Sequence, residues 1–234
     1  MNAVDEARQW VSHDPDKRDR VELAAIIEAV AGGDVGAQAE LADRMSGRLV
    51  FGTAGLRGAV GAGRNRMNTA VVTTATAGLA AVVRADCGEG FLVVIGYDAR
   101  HNSDVFARDT AEILAGHGLA ALLTDRAVPT PLVPFGVGHY GAVAGVVVTA
   151  SHNPPADNGY KVYVGASQIV PPTDAEIAEQ IAAASEGPVA DLPRAEGYTL
   201  VGEELVGAYV ARAASLAGDA PRALTWVHTA MHGV

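Results

Sequence analysis

Three short apolar runs, at 91–95 (FLVVI), 119–123 (LAALL) and 143–148 (VAGVVV), are separated by segments of helical periodicity. This alternation sets narrow limits on the fold. A strand that is apolar on both faces needs helices above and below it, and strands joined through helices pair in parallel. The pattern therefore predicts an α/β/α layered domain with a mainly parallel mixed sheet. With 49% hydrophobic and 19% charged residues, the chain has enough apolar material for such a core.

The intervening segments carry helix signals. Asn68 caps a helix running to about residue 85, and 103–117 is helical with Phe106, Ile113 and Leu114 among its apolar positions. Thr130-Pro131 pairs an N-cap residue with proline at the first helical position, and Thr173 to Glu176 reads as a capping box for a helix to about 184. Residues 160–164 and 168–170 read as a short hairpin.

Outside this region the organisation changes. Residues 3 to about 45 are helical: Val21, Leu23, Ala24, Ile27 and Val30 fall roughly on one face, Gly32-Gly33 stops the pattern, and Asp34 opens another helix through 41. The stretch 51–63 is too dense in glycine for a regular element. Residues 187–197 read as a linker, followed by a helix at 203–216 and a strand at 223–227. One helix and one strand cannot make a layered domain. The expected division is thus a helical N-terminal extension at 1–46, a layered domain at 47–187, and a linker with the truncated start of a second, similar domain at 188–234. Trp10 and Trp226 are expected in the core.

Several function classes are disfavoured. A net charge of −10 and 5% aromatic residues suit neither a phosphate backbone nor base stacking, so no nucleic-acid partner is expected. Cys87 is the only cysteine, which forbids an intrachain disulfide and a four-cysteine metal site. The start, MNAVDEARQW, lacks the basic end and apolar run of a signal peptide, and no stretch reaches the ~18 uninterrupted apolar residues of a membrane span. The expectation is a soluble, cytoplasmic protein with no membrane partner. Oligomeric state is not legible.

The chemistry concentrates in TASHNPP (149–155), directly after the third apolar run. Functional groups of open α/β sheets gather where strands end. Ser151 sits at that edge beside His152 and Asn153, and NGYK (158–161) returns an amine to it through a short turn. By local chemistry alone the segment fits an ordinary turn equally well. A hydrolase reading is weak, because no G-x-S-x-G elbow surrounds Ser151. Among 17 basic residues only Lys17 and Lys161 are lysines, which singles out Lys161.

Together with FGTAGLRG (51–58), GAGRNRMN (61–68), GYDAR (96–100) and PTPLVPFGV (129–137), these motifs resemble the α-D-phosphohexomutase superfamily, and most of all its phosphoglucomutase and phosphopentomutase branch. The similarity runs from about residue 51 to 181. The resemblance implies an intramolecular phosphotransferase that works through a phosphoserine and a bisphosphorylated sugar. Ser151 matches the phosphoserine. His152, beside it, matches a phosphate-holding residue, Lys161 the lysine of general acid–base work, and Arg57 the arginine that reaches the phosphoryl group.

Thr53, Asn153, Asp98 and Arg100 complete the expected phosphate- and substrate-binding set, Asp98 as the residue that orients Arg100 or the phosphoserine loop, with a structural Asp98–Arg100 ion pair as the alternative. The resemblance further implies Mg²⁺, glucose 1,6-bisphosphate or a similar activator, and a small sugar phosphate as partner. Ser151 would meet the metal only through its phosphate, because the family's aspartate-rich D-G-D-x-D-R loop is absent from this chain. The chain alone is therefore expected to be inactive. Phosphopentomutase activity and a non-catalytic phosphosugar-binding module are the alternatives. The segment ending in His232-Gly233 resembles the opening of the family's second domain.

Overall fold

A computed structural model describes residues 2–218, 223 and 225–229. Three helices come first: α1 (Ala3–His13), α2 (Lys17–Ala31) and α3 (Val35–Met45). They are followed by β1 (Leu56–Ala59), α4 (Thr69–Cys87), β2 (Leu92–Tyr97), α5 (Ser103–Gly116), β3 (Ala120–Thr124), α6 (Leu132–Tyr140) and β4 (Ala144–Val148). The antiparallel strands β5 (Asp157–Val164) and β6 (Ser167–Gln168) come next, then α7 (Thr173–Ala184), β7 (Thr199–Val201) and α8 (Glu203–Ser215).

The strands form one mixed sheet in the order β1-β5-β4-β2-β3-β7, with β6 beside β5. β2 pairs in parallel with β3 and β4, and β3 with β7, whereas β5 runs antiparallel to β4, β1 and β6. Val93, Ile95, Val146 and Val148 are fully buried in the main core with α4, α5 and α7. On the other side α6 and then α8 close the sheet, Leu205 of α8 being buried against Val128 and Leu132. This is the expected layered α/β architecture. α4 is long and apolar enough to cross a membrane by length and composition, yet 61% of that window is buried within the protein.

The N-terminal helices keep a small core of their own around Leu23, Ile27 and Leu41. They are tied to the segment 61–66 by charge. The Arg44 guanidinium donates to the Ala62 carbonyl at 2.9 Å and pairs with Glu22 and Glu40 at 2.7 and 2.8 Å. Arg64 pairs with Glu6, and Arg66 with Asp43.

Some local expectations fail. The glycine-rich segment contains β1, which pairs with β5 so that Leu56 lies opposite Tyr160 and Arg57 opposite Gly159. Glycine here brings two backbones together. A Cβ on Gly55, whose φ is +75°, would lie 1.9 Å from the Tyr160 carbonyl oxygen, and one on Gly159 would lie 2.6 Å from that of Thr149. The capping box at Thr173 does not form, because α7 starts after Pro172 and places Thr173 inside the helix. No strand forms at 223–227 among the described residues there, and Trp226 is 73% exposed. β7 is an element that the sequence pattern does not predict. It adds to the open edge of β3, so the segment after 187–197 is paired to the layered sheet. His232-Gly233 lies outside the described residues.

Candidate functional site

β4 ends at Val148, and the next residues turn out of the sheet. Ser151 has φ 58°, in the left-handed region that costs a non-glycine residue about 1–2 kcal/mol. The strain is held in place by neighbours. The Ser151 N–H donates to the Thr149 hydroxyl at 2.9 Å, and the Asn153 N–H to the Ala150 carbonyl at 3.1 Å. The serine side chain is left exposed, with its Oγ 3.5 Å from His152 Nδ1. That separation is too long for a serine activated by its neighbour, so the geometry does not assemble a Ser–His hydrolase.

Beneath the loop lies Arg100. Its Nη1 donates to the carbonyls of Pro154 at 2.8 Å and Asp157 at 3.0 Å, and its Nη2 to those of Ser151 at 2.9 Å and Asn153 at 2.8 Å. Nε faces Asp98 at 3.4 Å. The four Nη N–H bonds of the guanidinium are thereby given to loop carbonyls, and Nε is paired with Asp98. In this structure Arg100 clamps the Ser151 loop from below.

Asp98 belongs to the same underframe and not to the exposed surface. Its Oδ1 accepts from the Arg100 N–H at 3.1 Å and from the Ser103 hydroxyl at 2.8 Å. The structural alternative offered for this pair is the arrangement found.

β5 carries the second set of groups to this edge. Its buried Asn158 donates to the His101 carbonyl and to Ser103 Oγ, both at 2.9 Å, which joins β5 to the loop after β2. Arg57, facing Gly159 on β1, donates from Nη1 to Asn153 Oδ1 at 3.3 Å. Its Nε is buried with no hydrogen-bond partner among the described residues. Asn153 also donates to Asp157 at 2.9 Å, so it bridges Arg57 and the loop. Lys161 is half-buried, and burial together with the nearby Arg57 charge holds its ammonium below the ordinary lysine pKa. The structure thus joins Ser151, His152, Asn153 and Arg57 in one region, with Lys161 on β5 near enough to Arg57 to feel its charge.

Thr53 stands further out. It is exposed, and its carbonyl accepts from the Gln168 side chain at 2.6 Å, so the β5–β6 hairpin steadies the glycine-rich turn. Sequence reasoning does not pick out Gln168, Asn158, Ser103 or the Thr149 hydroxyl as site residues. Asn158 has a signal, being part of NGYK. Gln168 has none, because its partner is 115 residues away.

The residues present do not make a magnesium site. No group of three or more His, Cys, Asp and Glu side chains gathers among the described residues. The acids nearest the loop, Asp98 and Asp157, are committed to Arg100, Ser103 and Asn153.

Comparison with known proteins adds an independent line. The family described as phosphoglucomutase/phosphomannomutase, alpha/beta/alpha domain I, matches residues 48–188. A probable phosphomannomutase of Haemophilus influenzae is 48% identical over 172 residues, covering 72% of this chain and 35% of that protein. The phosphoribomutase of Saccharomyces cerevisiae is 48% identical over 146 residues, covering 61% of this chain and 24% of its own length. A solved structure from Thermus thermophilus, assigned as a phosphomannomutase, superposes with a TM-score of 0.58 at 31% identity, covering 74% of this chain and 37% of that one. The chain spans about a third or less of the length of these relatives.

Proposed function

Because the chain belongs to the phosphoglucomutase/phosphomannomutase family, we propose that it is the phosphoryl-carrying portion of an intramolecular phosphotransferase. The reaction moves phosphate between the 1- and 6-positions of a hexose phosphate, with Ser151 as the carrier. In the first half-reaction the phosphoryl group on Ser151 Oγ passes to a free hydroxyl of a sugar monophosphate. The P–O bond to Oγ breaks, a P–O bond to the sugar oxygen forms, and the hydroxyl proton passes through neutral Lys161 Nζ to the departing Oγ. In the second, the bisphosphate returns its other phosphoryl group to Oγ, whose proton passes through Lys161 to the departing sugar oxygen.

The observation that carries this reading is the meeting of an exposed, backbone-strained serine with Arg57 and a lysine of lowered pKa at one sheet edge. Phosphoryl transfer asks a protein chiefly for alignment and for neutralisation of charge on the moving group. The clamped loop supplies the first and Arg57 the second. A lysine that sheds its proton more readily than usual serves as base where an arginine cannot. His152 and Asn153 flank the phosphate, and Thr53 lies at the rim. Glucose 1,6-bisphosphate, or a bisphosphate like it, loads the serine. Magnesium, implied by the family resemblance, finds no carboxylate set among the described residues, and no step above runs through it. We accordingly expect negligible turnover from these 234 residues alone.

The test is intact mass with peptide mapping after incubation with glucose 1,6-bisphosphate. A gain of one phosphate, ~80 Da, on Ser151 supports the carrier role, and Ser151→Ala should abolish the gain. A complete protein containing this chain that stays unmodified would instead favour a non-catalytic phosphosugar-binding module. A pentose phosphate is the second reading, favoured by the equal identity to a phosphoribomutase. Coupled assays of the complete protein with glucose, mannose and ribose 1-phosphates separate the two.

A further inference from the structure

The Ser151 loop and Lys161 are held by different parts of the sheet. Lys161 lies inside the β4–β5 ladder, opposite Val147, so strand pairing sets its place. Ser151 comes after the end of β4 and has left that ladder. Its loop is carried by Arg100, whose guanidinium in turn stands on Asp98 in the segment after β2. A phosphoryl group on Ser151 and an amine on β5 therefore keep a fixed separation only if the segment after β2 is fixed against β5.

Asn158 makes that connection. It is fully buried on β5, one turn of the pleat before Lys161. Asparagine is a poor strand former and is seldom fully buried, so its presence at an interior strand position needs a reason. One Nδ2 hydrogen goes to the His101 carbonyl and the other to Ser103 Oγ, both at 2.9 Å, while Oδ1 accepts the Gly159 N–H at 2.7 Å. These partners leave the amide one orientation, because a carbonyl can only accept and a backbone N–H can only donate. Ser103 is fully buried as well, and its hydroxyl proton goes to Asp98 Oδ1 at 2.8 Å. The hydrogen bonds thus run in one direction, from the Asn158 amide through the Ser103 hydroxyl to the carboxylate that faces Arg100 Nε.

We propose that Asn158 is a positioning residue for phosphoryl transfer: through Ser103, Asp98 and Arg100 it fixes the Ser151 loop at its working distance from Lys161 and Arg57. The role rests on the phosphoryl-carrier reading of Ser151, and Asn158 acts through its neighbours and not on the substrate. Asn158→Asp isolates the donor. It keeps the side-chain shape and the bond from the Gly159 N–H, but the oxygen that replaces Nδ2 can only accept. That oxygen faces the His101 carbonyl with no proton between them, and it draws the Ser103 hydroxyl away from Asp98.

The experiment follows loading of Ser151 by glucose 1,6-bisphosphate in single turnover, by rapid quench and intact mass, in a complete protein containing this chain. Asn158→Asp should lower the maximal loading rate about a hundredfold, the scale of a ~1 Å misplacement, and leave the half-saturating bisphosphate concentration within about twofold. Ser103→Ala, a smaller change that keeps the His101 bond, should lower the rate about tenfold, the scale of one hydrogen bond, again with half-saturation unchanged. It carries the test if Asn158→Asp does not fold. The double variant should be no slower than Asn158→Asp alone, since both changes break one chain of bonds. A maximal rate within about twofold of wild type in either folded variant, or a loss that appears in the half-saturating concentration instead, would overturn the role. So would rate losses that multiply in the double variant. Wild-type protein whose Ser151 takes up no phosphate would strike the carrier reading itself and this role with it.

Discussion

Arg100 shows how a single side chain can suit two layers of a site when only its neighbours in sequence are known. It follows a strand end two residues after Asp98, which suits a ligand-binding arginine equally well as a buried clamp. Its four carbonyl partners, between Ser151 and Asp157, are those of a clamp. Arg100→Met should therefore lower stability by about 2 kcal/mol in urea unfolding, since several inward-facing carbonyls lose their donor. It should also slow loading of Ser151. An arginine reserved for phosphate would leave stability unchanged, and that result would restore the ligand-binding role.

Asp19 offers a second test at this scale. Burial, reinforced by Asp14, Asp16 and Glu22, pushes its carboxyl up to about 7. The folded chain thus keeps a proton that the unfolded chain releases near the ordinary value of 3.8, so stability from this group falls as pH rises between those values. Asp19→Asn removes the penalty. The melting temperature of the variant minus that of the wild type should be near zero at pH 4 and grow to about 2–6 °C at pH 8. A difference that shrinks with rising pH would contradict the assignment. Asp16, whose carboxyl is held low by Arg18, contributes with the opposite sign, which is why the difference and not the wild-type profile is the quantity to follow.

At the scale of elements, β1 is the least expected and the most consequential. It places Arg57, and it exists because Gly55 and Gly159 let its backbone close on β5. Gly55→Ala sets a methyl against the Tyr160 carbonyl in a left-handed backbone, and should cost about 2–4 kcal/mol. Amide exchange in 55–59 should quicken well before exchange in β2 and β4; uniform exchange rates across the sheet would argue against a local role for the glycine. The same contrast explains what the sequence discloses. β2, β3 and β4 are legible because strands buried on both faces must be apolar throughout. β1 is hidden by its glycines, whose purpose is a contact with a strand about a hundred residues on. β7 is hidden because three residues with an exposed Leu200 carry no pattern, and its order comes from pairing with β3. The capping box at Thr173 fails since Pro172 takes the cap position. For the site, Ser151, Lys161 and Arg57 can be found by motif, whereas Arg100 and Gln168 act through bonds that span 51 residues or more and leave no local trace.

The whole molecule poses the question of whether its N-terminal helices are an appendage or part of one folding unit. They have their own apolar cluster, which argues for independence. Against it stand the ties of Arg44, Arg64 and Arg66, which join the helices to 61–66 and to each other. Arg44 matters most. It is buried, two carboxylates depend on it, and Glu22 also accepts the Ala62 N–H at 3.0 Å, so the pair holds both sides of the same loop. Removing Arg44 leaves the buried Ala62 carbonyl without its donor and two half-exposed carboxylates without their partner, at a cost of about 2 kcal/mol. Arg44→Met should lower the unfolding midpoint while the transition, followed by far-ultraviolet dichroism and by Trp10 fluorescence in a Trp226→Phe background, stays single and coincident. Coincidence is expected because the loop that Arg44 grips leads directly into α4, the central helix of the main core. Two separated transitions in the parent protein would show that the helices fold as an appendage, and the charged ties would then be surface decoration and not a structural joint.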